Sequence, residues 1–263
     1  MNKSTGDANR DGGRDGDRMG GLAKGLAVIE AFDGSRPRLA IADVARIVGL
    51  ERATARRCLL TLVELGYAEH DGKFFSLTPR ILRLGTAYLS STPLPAIVQP
   101  FLQALSEQTG ESCSASILEG TEIIYVARAA QQRVMSINLH VGSRLPAYCA
   151  SMGRVLLAAR PEAEARRILE ATDRRPLTRN TRTAMADLMA ELAAVRQDGH
   201  AVIDQELEVG LRSIAVPILA ADGRVVAAIN VGAQAMRVSV EDMRRTFLPL
   251  MLGVQGELRR MLS

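Results

Sequence analysis

Residues 41–79 contain two short helical patterns around a tight turn, followed by a pattern of two strands. Apolar residues recur at helical spacing in the first pattern, which ends at Gly49, a residue type that readily adopts the left-handed conformation found after many helices. A second helix is predicted to begin near Glu51. Asp71-Gly72 lies between two strand-like runs, which predicts a hairpin turn. This order of elements predicts a winged helix-turn-helix, whose second helix enters the major groove of DNA.

The second predicted helix separates apolar from basic side chains. Its buried face is predicted to contain Ala55, Cys58, Leu59 and Leu62. Leu60 falls near the outward face and departs from this pattern. The residues predicted to contact DNA are Arg52, Ala53, Thr54, Arg56, Arg57 and, at the hairpin tip, Lys73. Arginine can pair bidentately with guanine, and Lys73 would contact phosphate or the minor groove. The alternative is a small helical subdomain with a solvated arginine face.

The local charge distribution is more informative than the net charge of +4. Six arginines and two acidic residues lie between residues 36 and 57, and positive charge concentrated on one element favours counterion release from DNA. No apolar run approaches the ~18 residues of a membrane span, and residues 1–21 lack the apolar stretch of a signal peptide. The cysteines have no Cys-x-x-Cys spacing, which is typical of free thiols in a reducing cytoplasm.

Length and composition predict four segments. We expect a disordered arm at 1–21, a winged helix-turn-helix domain at 22–79, a connecting helix and linker at 80–94, and an effector-binding and oligomerisation domain at 95–263. The connecting helix has a narrow apolar stripe made by Ile81, Leu84 and Tyr88. A second subunit is the expected cover for this stripe, because two-fold dimers commonly match palindromic operators.

The last segment alternates helical and strand patterns. Helices are predicted at 96–109, 149–159, 161–171, 183–198 and after Ser239, where Asp242 completes a capping box and a kink is expected before Pro249. Strands are predicted at 113–119, 122–130, 134–139, 200–205, 213–219 and 224–231. This pattern predicts an α+β domain with an antiparallel sheet, and thus an α/β protein overall.

Three stretches carry a family resemblance. They are Leu62-Val-Glu-Leu-Gly-Tyr67, the run from Gly142 to Ala158, and the run from Asp204 to Ile218. With these stretches in this order, the chain resembles the IclR family of bacterial transcription regulators over about residues 22–262. Phrases such as Leu-Pro-Ala-Tyr-Cys-Ala-Ser-Met-Gly-Arg look closest to the PcaR, PcaU and PobR-type regulators of aromatic-acid degradation.

This resemblance implies a GAF-like effector domain, a homodimer or dimer of dimers, palindromic operator DNA and no cofactor. It also implies a small organic acid as effector, of the protocatechuate, 4-hydroxybenzoate or β-ketoadipate class. The pocket residues that it implies are Ser151, Met152, Asp204, Glu206, Leu211, Ser213 and Asn230. Ser151 and Met152 would offer backbone N–H groups at a helix start to a carboxylate. The family contains repressors and activators, so the sign of regulation stays open.

Residue chemistry adds candidates for the acid site. Arg128, Arg133, Arg144 or Arg212 would anchor a carboxylate through paired hydrogen bonds. The alternative for Arg212 is a structural ion pair with an acidic residue at 204, 206 or 208. An apolar wall for the acid would be formed by Tyr148, Met152 and Leu211, although each of these residue types is also common in a core.

Two other classes of function fit the sequence less well. Cys149-Ala-Ser-Met-Gly153 superficially resembles a nucleophile elbow, but it lacks the first glycine and a preceding strand-turn-helix of the right kind. A nucleophile also needs a base, and only His140 and His200 are candidates, because His70 belongs to the predicted hairpin. The same scattered histidines and cysteines lack metal-ligand spacing, so neither a catalytic nor a metal site is predicted. An architectural DNA binder without a sensor is the other alternative, and about 165 residues of α+β fold beyond the DNA-binding segment argue against it.

Overall fold

The computed structural model describes residues 19–131 and 139–262, which form two compact units that divide between Ser90 and Ser91. The elements of the first unit are α1 (Gly20–Glu30), α2 (Ile41–Val48), α3 (Arg52–Glu64), β1 (Ala68–His70), β2 (Phe75–Leu77), a 3-10 helix (Pro79–Ile81) and α4 (Leu82–Ser91), which reaches the boundary. Most of the predicted arm 1–21 lies outside the described residues. Its last two residues already belong to α1, because the N–H of Ala23 bonds to the carbonyl of Met19 and closes the first turn.

The helix-turn-helix predicted from the sequence is confirmed. Gly49 ends α2 with a φ of +69°, and the next residue, Leu50, donates its N–H to the carbonyl of Ala45 at 2.9 Å. A side chain at a left-handed position costs about 1 kcal/mol, which explains the glycine. The core of this unit is apolar, and α1, α2, α3 and both strands of the hairpin contribute side chains to it. These include Val28, Val44, Ala55, Leu59, Leu62, Ala68 and Phe75.

The hairpin that follows α3 has a longer turn than the sequence predicts. Its strands pair antiparallel, with His70 opposite Phe75, so Lys73 and Phe74 belong to the turn and not to the second strand. The carboxylate of Asp71 explains this difference, since it accepts the N–H groups of Lys73 at 3.0 Å and of Phe74 at 2.8 Å. Phe75 also exchanges two backbone hydrogen bonds with Leu39, which fixes the hairpin to the helical core.

The second unit is built around one antiparallel sheet. Its helices are α5 (Pro93–Thr109), α6 (Ser151–Ala158), α7 (Glu162–Glu170), α8 (Met185–Asp198), α9 (Val240–Asp242) and α10 (Leu248–Met261). Its strands are β3 (Ser112–Glu119), β4 (Glu122–Ala129), β5 (Arg144–Pro146), β6 (Ala201–Asp204), β7 (Leu211–Leu219) and β8 (Val225–Gln234). The strands lie in the order β5-β4-β3-β8-β7-β6, and the described pairs are antiparallel.

Most boundaries in this unit lie within a few residues of the predicted ones. The sequence did not predict β5 or the 3-10 helix Ala147–Cys149, because each is only three residues long. The predicted strand 134–139 lies almost wholly outside the described residues. The capping box of Ser239 with Asp242 is confirmed, and a π-helical segment, Met243–Phe247, occupies the place where a kink is predicted.

The two faces of the sheet contact different helices. Along β3, Cys113 and Ala115 point to the face that packs on α5 and α10, whereas Ser114 and Ser116 point to the face that carries α6, α7 and α8. The first face is an apolar core. The second face combines an apolar core with polar side chains near the start of α6, where a cavity opens. In the described part of the chain, no helix is long and apolar enough to cross a membrane.

Candidate functional site

The basic face predicted on α3 is exposed. Arg52, Ala53, Arg56 and Arg57 point away from the core that the same helix covers with other residues, and Thr54 is partly buried. The Nη2 of Arg57 lies 3.4 Å from the hydroxyl of Thr54. This face therefore presents three guanidinium groups from a rigid helix.

Ion pairs distinguish these arginines from their neighbours. Three other arginines of this unit are paired with carboxylates: Arg36 with Asp33, Arg38 with Asp71, and Arg46 with Asp43. Across residues 19–131 and 139–262, no carboxylate lies within 4.0 Å of the guanidinium of Arg52, Arg56 or Arg57. The unpaired positive charge of the region is thus concentrated on the outward face of α3, as an anionic partner would require.

The hairpin tip adds a second cationic position. Lys73 is exposed, and its Nζ lies 5.0 Å from the ring centroid of Phe74. The guanidinium carbon of Arg38 lies 5.2 Å from the same centroid, so two cations flank one ring. The sequence did not predict Arg38 as a site residue, because nothing in the local pattern brings it to the tip.

A cavity of about 600 Å³, including its open mouth, lies between the start of α6 and the strands β3, β4, β7 and β8. Its apolar lining includes Leu139, Leu145, Met152, Ile203, Leu207 and Leu211. Its polar side chains are Ser112, Arg128, Ser151, Ser213 and Asn230. The combination of an apolar wall with a few polar groups is suited to a small amphipathic ligand.

Five of the predicted effector residues line this cavity: Ser151, Met152, Leu211, Ser213 and Asn230. The hydroxyl of Ser213 donates to the Oγ of Ser151 at 2.9 Å, and the Sδ of Met152 accepts a hydrogen bond from Ser116 at 3.3 Å. The structure therefore brings together residues that are up to 79 positions apart in the sequence, from Ser151 to Asn230.

Four predicted effector residues lie outside the cavity lining. Tyr148 is buried in the core, and its hydroxyl donates to the carbonyl of Arg175 at 2.5 Å, so it does not form an apolar wall. Arg212 donates from Nε to Asp204 at 2.8 Å and so forms a structural ion pair, which is the alternative that the sequence offers for this residue. Glu206 is buried and paired with Arg154.

The pair formed by Arg154 and Glu206 was not predicted. Arg154 is 1% exposed on α6, donates from Nη2 to Glu206 at 2.6 Å and from Nε to the carbonyl of Tyr148 at 3.0 Å. Burial lowers the pKa of Arg154, and Glu206 opposes this effect. The backbone N–H of Arg182 also donates to Glu206, at 2.9 Å. The sequence signal for this pair is an arginine within the otherwise mostly apolar segment of α6, because a buried arginine needs a carboxylate partner.

Arg128 differs from the other arginines that were considered as anchors. It lines the cavity and donates from Nη1 to the hydroxyl of Ser114 at 2.8 Å, but its buried Nε has no partner. Burial lowers its pKa, and no carboxylate of the described residues is paired with it. By contrast, Arg144 is bound to Glu119 and Glu122 on the surface. Arg133 lies outside the described residues.

The cysteine considered as a nucleophile is protonated at neutral pH. Burial raises the pKa of Cys149 to about 12, and its Sγ donates to the carbonyl of Pro146 at 3.7 Å. A protonated thiol is a poor nucleophile. Within the part of the chain that the structure describes, no three His, Cys, Asp or Glu side chains come together as ligands for a metal.

Two family profiles match the chain. The IclR helix-turn-helix domain matches residues 21–72, and the C-terminal domain of the bacterial transcriptional regulator IclR matches residues 86–253. The Pca regulon regulatory protein of Pseudomonas putida is 47% identical over 238 residues, which are 90% of this chain and 82% of that protein.

Two solved structures contain bound acids. A double mutant of the PobR inducer-binding domain from Acinetobacter, in complex with 3-hydroxybenzoic acid, is 34% identical with a TM-score of 0.61, and the match covers 64% of this chain and 98% of that one. An IclR homologue from Microbacterium hydrocarbonoxydans, in complex with 4-hydroxybenzoate, is 25% identical with a TM-score of 0.75, and the match covers 91% of this chain and 99% of that one.

Proposed function

The chain belongs to the IclR family of bacterial transcriptional regulators, and we propose on this premise that an aromatic carboxylic acid in its cavity controls its binding to operator DNA. The observation that carries the proposal is Arg128, a partly buried guanidinium that lines the cavity without a carboxylate partner among the described residues. The controlled genes would serve aromatic catabolism, and the regulator would act in the cytoplasm, where bacterial DNA lies.

The DNA-binding half of the proposal uses the outward face of α3 and the hairpin tip. Arg52, Ala53, Thr54, Arg56 and Arg57 would face the base edges in the major groove, and Lys73 would contact the backbone beside it. Two copies would read a palindromic operator as a homodimer or as a dimer of dimers. Exposed leucines on α4 support a second copy, since Leu82 and Leu84 are 68% and 46% exposed.

The effector-binding half uses the free edge of Arg128. Because Nη1 is bound to Ser114, the Nε and Nη2 groups remain for the two oxygens of a carboxylate. The start of α6 also lines the cavity, and the unpaired N–H groups of a helix start favour an anion. The hydroxybenzoates bound by the two solved relatives support an aromatic acid.

Coupling between the two sites follows from linkage. An acid that changes operator affinity must bind the DNA-bound and DNA-free forms with different affinity, by about 1–3 kcal/mol for a typical allosteric protein. The cavity and α3 belong to separate compact units, and the change transmitted between them would be one of dimer geometry.

The test is fluorescence anisotropy on labelled DNA from upstream of the gene that encodes this chain, at fixed salt. Protocatechuate, 4-hydroxybenzoate and β-ketoadipate are titrated in turn. We expect one acid to change the affinity, and Arg128→Gln to abolish that response while it leaves DNA binding intact. Arg144→Gln is the matched control, because Arg144 is ion-paired on the surface, and it should respond like the wild type. Tight DNA binding without a response to any acid would refute the effector half.

A second pair of variants tests the DNA half. Arg57→Ala should weaken operator binding and alter base preference, because its guanidinium is unpaired on α3. Arg46→Ala is the control on α2, where the arginine is exposed but lies 3.6 Å from Asp43. If Arg57→Ala leaves the affinity unchanged, α3 does not read the groove with this face.

A further inference from the structure

We infer that Arg38 binds a phosphate of the DNA backbone together with Lys73 at the hairpin tip (residues 71–74), and that Asp71 positions the Arg38 guanidinium for this contact. The inference rests on the DNA half of the proposed function. It adds a DNA-binding residue that lies outside both α3 and the hairpin. Its consequence is the opposite of that for a structural ion pair, because removal of the acidic partner should strengthen DNA binding.

The ring of Phe74 brings the two cations together. The guanidinium carbon of Arg38 lies 5.2 Å from the centroid of this ring, and the Nζ of Lys73 lies 5.0 Å from it. Cations within about 6 Å of a ring centroid are attracted to the ring face. The backbone hydrogen bonds between Leu39 and Phe75, at 3.0 and 2.8 Å, hold the chain before α2 against the hairpin and so bring Arg38 to the tip. Two cations from separate segments therefore flank one partly buried ring.

The two oxygens of Asp71 have separate partners. Its Oδ1 accepts the N–H groups of Lys73 and Phe74, at 3.0 and 2.8 Å, and so forms the turn. Its Oδ2 pairs with the Nη2 of Arg38, and the side chains of Arg38 and Asp71 are 57% and 45% exposed. An ion pair this exposed contributes little to stability, because water solvates both charges. A phosphate also accepts hydrogen bonds from a guanidinium, so it can replace Oδ2 while Oδ1 keeps the turn.

Arg38 makes the charge of the hairpin tip positive. Asp71 and Lys73 carry opposite charges, so the turn itself is neutral without Arg38. The next acidic residue along the hairpin, Glu69, lies one cross-strand pair further from the tip, where Ser76 donates to it at 3.1 Å. Each phosphate that a protein neutralises releases counterions, and the slope of log K against log salt steepens by about 0.9 per contact. A second cation at the tip is therefore measurable as a difference in this salt slope.

The test is fluorescence anisotropy with the full chain on labelled DNA from upstream of its gene, from about 50 to 200 mM salt. Arg38→Ala should lower the magnitude of the salt slope by about 0.9 and weaken binding about 5-fold at about 150 mM salt. Arg38→Lys keeps the charge and should keep most of the slope. Asp71→Asn keeps an Oδ1 acceptor for the turn but loses the competing charge, so it should strengthen binding by about 2- to 5-fold.

Asp33 and Arg36 provide the matched control in the same unit. The Oδ1 of Asp33 accepts the N–H groups of Ser35 and Arg36 at 2.9 Å, and its Oδ2 pairs with the guanidinium of Arg36. This geometry repeats that of Asp71 and Arg38, with side chains that are 42% and 43% exposed. Asp33→Asn and Arg36→Ala therefore change the net charge by the same amounts without changing the tip. Both should leave the affinity and the salt slope close to those of the wild type.

The outcomes separate this inference from the DNA half of the proposed function. An unchanged salt slope in Arg38→Ala would overturn the inference, and so would control variants that behave like the tip variants. Weaker DNA binding by a folded Asp71→Asn variant, checked by circular dichroism, would also overturn it, and the Arg38 variants are decisive if Asp71→Asn does not fold. If Arg57→Ala weakens binding and the tip variants have no effect, the inference fails and the DNA half stands. If none of these variants alters binding, the DNA half fails as well.

Discussion

Replacing Arg154 by methionine should destabilise the second unit more than the same replacement at any surface arginine of that unit. The guanidinium is 1% exposed and neutralises Glu206, whose side chain is 6% exposed, at 2.6 Å. Removal of one partner from a buried ion pair typically costs 3–5 kcal/mol, because the other charge stays buried without compensation. Methionine fills a similar space, so the loss reflects charge more than volume.

Two other contacts place the expected cost at the lower end of that range. The guanidinium of Arg182 lies 3.9 Å from Glu206, and the backbone N–H of the same residue donates to it at 2.9 Å. Both remain when Arg154 is replaced. We therefore expect a loss of about 3 kcal/mol in the free energy of unfolding, which corresponds to a fall in Tm of about 10 °C for a unit of this size.

The assay is urea unfolding followed by far-UV circular dichroism, because the chain has no tryptophan for fluorescence. Arg175→Met is the matched control, since Arg175 pairs with Asp173 on the surface with side chains that are 77% and 70% exposed, and such pairs contribute little. The double variant of Arg154→Met with Glu206→Gln should be more stable than Arg154→Met alone, because it removes the buried charge. Equal losses for Arg154→Met and the control, or additive losses in the double variant, would refute the reasoning.

Three further outcomes are expected. Gly153→Ala should lower the free energy of unfolding in urea by about 1–3 kcal/mol and weaken acid binding, because a Cβ at this position would overlap the backbone of the preceding 3-10 helix. Unchanged stability would contradict this packing. Iodoacetamide at pH 8 should label Cys58, which is partly exposed, and should not label Cys113 or Cys149; intact mass spectrometry reads the number of labels. Burial raises the pKa of Cys113 and of Cys149 to about 12, so the reactive thiolate forms only as the pH nears that value. Gly49→Ala should lower the stability of the first unit by about 1 kcal/mol, measured in the same unfolding assay, because its φ is +69°.

The first unit was predictable because short-range signals determine its elements. Gly49 marks the turn between its helices, and the apolar spacing of the second helix identifies the buried face. The start of β2 was predicted two residues early, because the hydrogen bonds of the Asp71 carboxylate to Lys73 and Phe74 extend the turn. Alternation of apolar residues gives no information about such side-chain bonds.

The cavity was less predictable because it depends on strand register. Arg128 and Arg212 have the same chemistry in the sequence, and the difference between them is their cross-strand neighbour. Arg212 stands opposite Asp204 and is neutralised, whereas Arg128 stands opposite Ser114 and has no carboxylate partner among the described residues, as the proposed anchor requires. One residue of slip between β6 and β7 would move Arg212 away from its position opposite Asp204. The sequence limits the candidates for the proposed anchor to a few arginines, and strand register distinguishes between Arg128 and Arg212.

Successive side chains of β3 face opposite sides of the sheet, so the cavity lining and the apolar core can be varied separately. Even-numbered positions of the strand, such as Ser112 and Ser114, face the cavity side, while Cys113 and Ala115 face the apolar core under α5 and α10. Side chains on the cavity side and side chains of the apolar core thus alternate along one strand. A library restricted to Ser112 and Ser114 would vary the cavity lining while the odd-numbered residues of the core under α5 and α10 stay unchanged.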